Sequence, residues 1–268
     1  MKLIDGKLLA DKIKDKIATE IAAFGGPRPG LAIILVGERP DSAMYVSMKE
    51  KQARGVGIDM HLYRCPENIP QDELVAMIDF LNNDEQVDGI LLQLPLPEGF
   101  DTDLCINRIS ADKDVDGFSK ENMRRLLSDD AAVGLMPPVY GAAFSMLQSI
   151  NVSLEGKSFA IIGNSYIFKN NLQEVLERQG AKATEVSDAD IILTAVGKAA
   201  SLKADMVKDD AVIIDIGISQ DSEGKVCGDV DADSMEDKPG YMSPVPGGVG
   251  PMTIAMAFWN TLEIFKKR

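Results

Sequence analysis

Apolar positions in the first half of the chain alternate between a helical and a strand-like pattern. Residues 7–24 carry apolar side chains at helical spacing, and "LAIILVG" (31–37) is an unbroken apolar run of strand length. A helix is predicted from about Ser42 to Arg54, stopped by Gly55 and Gly57 after a basic last turn. A short strand near 59–63, a helix over 70–83 opened by Pro70 and Asp72, and the strand "GILLQL" (89–94), ended by "PLP", follow. This βαβ rhythm predicts a mostly parallel sheet with functional groups gathered at the carboxyl ends of its strands.

Around "LMPPVYG" (135–141) the pattern changes, and a helix over 141–150 leads into a second unit. Strands are predicted at "FAII" (159–162), "KATEV" (182–186), "DIILTAVG" (190–197) and "AVIIDIG" (211–217), with a helix near 170–179. The unit closes at "SPVPGGVGPMT" (243–253), and "TIAMAFWNTLEIFKKR" reads as a helix whose apolar face packs back onto the first half. The prediction is an α/β fold of two domains: a three-layer domain over 1–137 and 251–268, and a shortened Rossmann-like domain over 138–250. No internal repeat or low-complexity tract interrupts either.

Composition narrows the function classes. A net charge of −14 argues against a general nucleic-acid binder, which needs a basic face. Cys65, Cys105 and Cys227 are widely spaced, giving neither a disulfide framework nor a metal knuckle; an odd count without a secretory signal points to a reducing cytosol. The start, "MKLIDGKLLADKIKDKI", reads as an amphipathic helix with a Lys-rich face, and no apolar stretch approaches the ~20 residues of a membrane span. The single histidine, His61, is expected on a strand edge, so acid–base chemistry falls to Lys, Tyr, Asp and Glu. No metal site is expected.

Five strings carry candidate chemistry. In "SFAIIGNSYIFKNNL" (158–172) an apolar strand stops at Gly163 where a dinucleotide-binding turn would sit, yet two of the three usual glycines are absent. In "YVSMKEK" (45–51), Tyr45 and Lys49 share a helix face. A buried lysine is a candidate general base and a tyrosine a stacking platform; a surface lysine above a half-buried tyrosine is the alternative. Gln93 in "QLPLP" ends an apolar strand, either as a hydrogen-bonding group aimed into a crevice or as a plain strand cap. In "DKDVDGFS" (112–119), Asp112, Asp114 and Asp116 alternate like a calcium loop, but Met123 stands where its last glutamate belongs. A single aspartate there could bind the N–H edge of a pterin-like ring; an acidic solvent-facing turn is the other reading. "SPVPGGVGPMT" fixes a tight backbone surface, on which a planar ligand could lie, or a linker.

Taken together and in this order, YVSMK, QLPLP, KDVDGF and PVPGGVGPMT resemble the methylenetetrahydrofolate dehydrogenase/cyclohydrolase (FolD) family, from "DGKLLADKI" to "GGVGPMTIAM". The resemblance implies oxidation of 5,10-methylenetetrahydrofolate with NADP or NAD, then hydrolysis of the methenyl product to 10-formyltetrahydrofolate. It implies Lys49 as the acid–base residue, Gln93 tuning its protonation, Tyr45 stacking on the folate and Asp116 holding the pterin. Pro246, Gly247, Gly248 and Pro251 would contact the folate, and Gly163, Asn164, Ser165, Lys169, Ala195, Val196 and Gly197 the dinucleotide. A cytoplasmic homodimer, with no nucleic-acid or membrane partner, is implied as well.

The second domain departs from the family pattern. Asn164 replaces an arginine, Lys169 a glycine, Asn171 a proline, Val139 a hydroxyl-bearing residue and Ser243 a threonine. The chain passes from "ATEVS" almost directly to "DADIIL", roughly ten residues short of the family pattern where an adenosine phosphate would bind. Glu185, 22 residues after Gly163, stands near the place of an acid that binds a ribose 2′-hydroxyl in NAD sites. Two alternatives therefore stand beside the bifunctional enzyme: a cyclohydrolase with a vestigial dinucleotide site, and a non-catalytic folate-binding protein.

Overall fold

A computed structural model describes residues 1–37, 40–128 and 134–268, the side chains of 40–45, 166 and 167 excepted. In chain order the elements are β1 (Lys2–Leu3), α1 (Gly6–Phe24), β2 (Gly30–Val36), α2 (Pro40–Val56), β3 (Asp59–Cys65), α3 (Gln71–Asn83), β4 (Gly89–Leu92), α4 (Thr102–Arg108), α5 (Lys120–Leu126) and α6 (Pro138–Ser149). There follow β5 (Ser158–Gly163), α7 (Tyr166–Arg178), β6 (Lys182–Ala183), β7 (Ile191–Ala195), β8 (Val212–Asp215), β9 (Ser219–Gln220), β10 (Val226–Cys227), β11 (Tyr241–Met242) and α8 (Val249–Phe265). The fold is α/β and divides into two units, one of Lys12–Pro138 with Ile254–Arg268, the other of Met1–Asp11 with Val139–Thr253.

The first unit is built on β2, which is buried along its whole length and paired in parallel with β3 and β4. Because side chains alternate across a strand, Leu31, Ile33 and Leu35 enter one cluster and Ala32, Ile34 and Val36 another. The first cluster is closed by Ile17 and Ile21 of α1, Val46 and Ala53 of α2, and Ile254, Phe258 and Leu262 of α8. The second is closed by Leu74, Ile78 and Leu81 of α3 and Cys105 of α4. Helices on both sheet faces make the three layers that the sequence predicts, and α8 from Ile254 onward packs on the face of Leu31, Ile33 and Leu35, in the first half of the chain as expected. His61 is exposed on the edge strand β3.

The second unit holds a parallel sheet in the order β1-β11-β8-β7-β5-β6, six strands among the described residues. From β5 the chain steps outward to β6 and returns to β7 on the other side of β5. The carboxyl ends of β5 and β7 therefore flank a topological switch point, where open α/β sheets bind their ligands.

Several sequence expectations are corrected here. Residues 1–11 belong to the second unit, because β1 pairs with β11 and Lys7 N–H donates to Gly247 O at 3.0 Å. Thr253 and the residues just before it stand there too, so the division falls after Thr253 rather than after Gly250. The strand expected over 182–186 pairs only at Lys182–Ala183: residues 184–190 must cross past β5 to β7, which they do through a single 3-10 turn instead of the usual crossover helix. Helix α7 starts at Tyr166, well before 170, because Ser165 caps it by accepting from Phe168 N–H. Helix α2 runs through Gly55 to Val56 and is stopped by Gly57, whose φ is +88°. The short helices α4 and α5, each opened by a capping side chain, lie in segments too short to show periodicity.

Asn260 of α8 ties the first unit together: its Nδ2 donates to Val115 O and to Met136 O, both at 2.9 Å. Replacing it leaves two inward carbonyls unpaired. Asn260→Ala is expected to lower the unfolding free energy by about 1–3 kcal/mol, read from urea denaturation. An unchanged midpoint would show that water substitutes for the amide.

Candidate active site

Two groups of side chains stand at carboxyl ends of strands, one in each unit. In the first unit, Lys49 lies on α2 with only 6% of its surface exposed, and its ammonium donates to Gln93 Oε1 at 3.0 Å. Gln93 directly follows β4; its N–H continues the ladder to Ile34 O, and its Nε2 donates to Leu94 O at 2.9 Å. The amide oxygen is thereby aimed at the lysine.

Asp116 reaches the same place by a different route. Residues 113–115 run beside β4, with Ile90 N–H donating to Lys113 O and Val115 N–H to Ile90 O, so in this parallel register Asp116 comes level with Leu92, the last residue of β4. The turn beyond it is held from inside: Asp114, fully buried, accepts from Gly117 N–H and Ser119 N–H, both at 2.9 Å. Asn122 pairs with both the N–H and the carbonyl of Leu135. The acidic string is thus no calcium loop. Asp114 is a structural anchor, Asp112 ion-pairs with Arg125, and Asp116 alone is electrostatically coupled to Lys49.

Burial controls the charge of this pair. It pulls the Lys49 pKa below the ordinary lysine value, an effect that the Asp116 carboxylate partly opposes. It pushes Asp116 up to about 6, against the attraction of the lysine. Both shifts favour neutral forms, as a base working near neutral pH needs.

Tyr45 falls on α2, but its side chain lies outside the described residues. Pro246, Gly247, Gly248 and Pro251 fall in the second unit, where 247–248 packs flat on the start of α1: a Cβ on Gly6 would stand 2.1 Å from Gly248 O.

The second unit brings all seven dinucleotide candidates to the switch point. Gly163 ends β5 in register with Ala195, which ends β7. Asn164 Nδ2 donates to Val196 O at 2.8 Å, bridging the two strand ends, and Ser165 caps α7. The stem of Lys169 lies beside Gly163. Gly197 has φ +72° with open space where a Cβ would be. A helix N-terminus facing a switch-point crevice fits a dinucleotide pyrophosphate, whose charge the backbone N–H groups and helix dipole favour.

Sequence reasoning missed Asp215 and Asp229, two buried carboxylates behind this crevice. Burial, with the neighbouring Asp229 charge adding, pushes Asp215 up to about 6 despite N–H donors from Val230, Asp229 and Gly217. The available signal was an aspartate closing the otherwise apolar run "AVIID". Among the described residues no group of His, Cys, Asp and Glu could hold a metal ion, and no helix is long and apolar enough to cross a membrane.

A switch-point crevice in one unit and a desolvated lysine held by an amide in the other define the class: an α/β enzyme that works with a nucleotide cofactor. Comparison with known proteins narrows it. Residues 4–116 match the tetrahydrofolate dehydrogenase/cyclohydrolase catalytic domain, and residues 137–268 match the NAD(P)-binding domain of the same family. The chain belongs to the tetrahydrofolate dehydrogenase/cyclohydrolase family.

The bifunctional protein FolD of Oceanobacillus iheyensis is 42% identical over 98% of this chain and 96% of its own length. That alignment spans 278 positions against a chain of 268 residues, so the relative carries residues absent here. The crystal structure of the bifunctional FolD from Campylobacter jejuni covers 100% of this chain and 99% of its own at TM-score 0.94 and 39% identity. The Trypanosoma brucei FolD, solved with NADP cofactor and inhibitor, covers 99% and 97% at TM-score 0.93 and 30% identity.

The charge reading has a direct test. In a 15N NMR titration, the Lys49 amine is expected to lose its proton at lower pH than the exposed lysines. Asp116→Asn removes a carboxylate whose charge opposes this shift and lowers that midpoint further. A midpoint at or above the ordinary lysine value would overturn it.

Proposed function

We propose that the chain oxidises 5,10-methylenetetrahydrofolate with a nicotinamide dinucleotide and hydrolyses the methenyl product to 10-formyltetrahydrofolate. The observation that carries the reading is the Lys49–Gln93 hydrogen bond, 3.0 Å long, around a lysine whose pKa burial lowers from the ordinary value. The bound dinucleotide supplies the hydride acceptor; Gly163, Asn164, Ser165, Lys169, Ala195, Val196 and Gly197 are the residues proposed to hold it. In the hydrolytic step water adds to the methenyl carbon and gives one proton to the Lys49 amine. The carbon–N5 bond then breaks as N5 takes a proton and the new hydroxyl gives one up, leaving the formyl group on N10. Gln93 orients the amine and favours its protonated form when it carries the proton; Asp116 is proposed to hold the pterin N–H edge. For Tyr45, Pro246, Gly247, Gly248 and Pro251 as folate contacts the reading rests on family resemblance.

The alternative of a vestigial dinucleotide half is not favoured. The second unit retains its full parallel sheet despite the short crossover, and the NAD(P)-binding family match spans 137–268. A non-catalytic folate binder would have no need of a desolvated lysine.

Within this reading we infer a preference for NAD over NADP. Asn164 stands in place of an arginine and is engaged with Val196 O. Glu185, exposed two residues past the end of β6, puts an acid where a ribose 2′-hydroxyl would be bound and a 2′-phosphate repelled. A homodimer working in the cytoplasm is part of the same proposal, and sedimentation of the purified protein tests the first half of it.

Lys49→Met is expected to lower methenyl hydrolysis by roughly 10²-fold or more, the usual scale for a general acid–base residue, while folate still binds. Near-normal turnover would remove lysine from its assigned role. Calorimetric titration is expected to give a Kd for NAD about tenfold below that for NADP, with Glu185→Gln narrowing the gap, each tenfold corresponding to ~1.4 kcal/mol. Tighter binding of NADP would reverse the cofactor assignment.

A further inference from the structure

Behind the switch-point crevice, the strand ends of the second unit are joined by a continuous run of hydrogen bonds. Asn164, after β5, donates to Val196 O, after β7. Val196 N–H donates in turn to Asp229 Oδ2 at 2.6 Å. Asp229 N–H donates to Asp215 Oδ1, at the end of β8, at 3.1 Å, and Asp215 N–H donates to Ser243 Oγ, after β11, at 2.7 Å. Four parallel strands are thus tied at their carboxyl ends through Asp229.

The Asp229 carboxylate has no exposed surface, and its three side-chain bonds all come from one short segment. Thr194 Oγ1 donates to Oδ2 at 2.8 Å, Val196 N–H to the same oxygen, and Lys198 N–H to Oδ1 at 2.9 Å. The backbone around it is shaped to admit the two carboxylates. A Cβ on Gly217 would stand 2.2 Å from the Asp229 carboxyl carbon, and one on Gly228 would stand 2.0 Å from Asp215 Oδ2.

Burying a carboxylate is costly, and packing alone would be served as well by an apolar side chain. What the carboxylate adds is direction. It turns the N–H groups of Val196 and Lys198 inward, which leaves Val196 O to accept from Asn164 and places Gly197, at φ +72°, over open space. The 195–197 backbone is then fixed at the mouth of the crevice before any ligand arrives, so binding loses less to ordering.

We propose that Asp229 is a positioning residue for dinucleotide binding: it acts through the 194–198 segment and touches neither substrate nor cofactor. This rests on the reading of the second unit as the dinucleotide half. Thr194 serves the same end by supplying a side-chain donor to the carboxylate.

The test uses the full-length protein and its Asp229→Asn and Thr194→Val variants. Calorimetry gives Kd for NAD and for NADP, steady-state oxidation gives dinucleotide KM and kcat, and methenyl hydrolysis by the same preparations is the reference. Asp229→Asn should weaken both dinucleotides about tenfold or more and Thr194→Val roughly threefold, the scale of losing charge-assisted hydrogen bonds. KM should rise in step with Kd, while kcat at saturation and hydrolysis fall much less. Unchanged Kd in a folded variant, or oxidation and hydrolysis falling together in Thr194→Val, would overturn the proposal. Should Asp229→Asn fail to fold, Thr194→Val decides. A parent protein that binds neither dinucleotide refutes the functional reading and this role with it; a parent that binds, with variants binding equally, refutes this role alone.

Discussion

A parallel sheet ends its strands in loops whose backbone N–H groups have no ladder partner, and buried N–H groups must find one. In both units here, inward side chains with fixed oxygen acceptors meet that need. Asp114 and Asn122 hold the turn after residues 113–115, while Asp215, Asp229 and Ser243 hold the ends of β7 and β8. The groups proposed to do chemistry follow or adjoin these loops. Their positions are therefore set by polar residues one layer further in, which is why a rigid crevice can be lined by short loops rich in glycine.

The first unit uses the same burial for a different end. Lys49 and Asp116 are brought close in a desolvated place, and burial opposes the charge on each more strongly than their mutual attraction supports it. The Gln93 amide supplies a hydrogen bond without supplying a charge. A carboxylate at that position would hold the ammonium protonated, whereas an amide accepts from it and leaves its proton transferable. Anchoring Asp116 through Asp114 and Asn260 keeps the acid near the lysine without a direct strand connection between them.

The shortened passage from β6 to β7 shows how much a doubly wound unit can lose and still form. Residues 184–190 cross past β5 with one 3-10 turn, and the sheet order remains intact because β7 pairs with β5 over five positions and β6 over two. The shortening falls at the edge of the sheet, beside β6, and the register of β5 with β7 still runs as far as Gly163 and Ala195. Asn164 has a place in this arrangement: it braces two strand ends by donating to Val196 O.

Local sequence alone sets the helices and strands of the cores, since the unbroken apolar run "LAIILV" and the helical spacing in 7–24 are local properties. It also carries the family resemblance, through four ordered strings, and it is that resemblance which implies a link between Lys49 and Gln93. What it did not contain were the contacts made between residues far apart in the chain. That residues 2–3 form a strand in the second sheet depends on Tyr241–Met242 being there to pair with them. That Asp114 anchors the turn while Asp116 is coupled to Lys49 depends on which of two alternating carboxylates faces inward, a question their shared sequence pattern cannot answer. The roles of Asp215, Asp229 and Asn260 emerge only when distant backbone N–H and C=O groups are buried beside them, because a hydrogen bond's weight is set by the water it excludes, and tertiary packing alone decides where that water is gone.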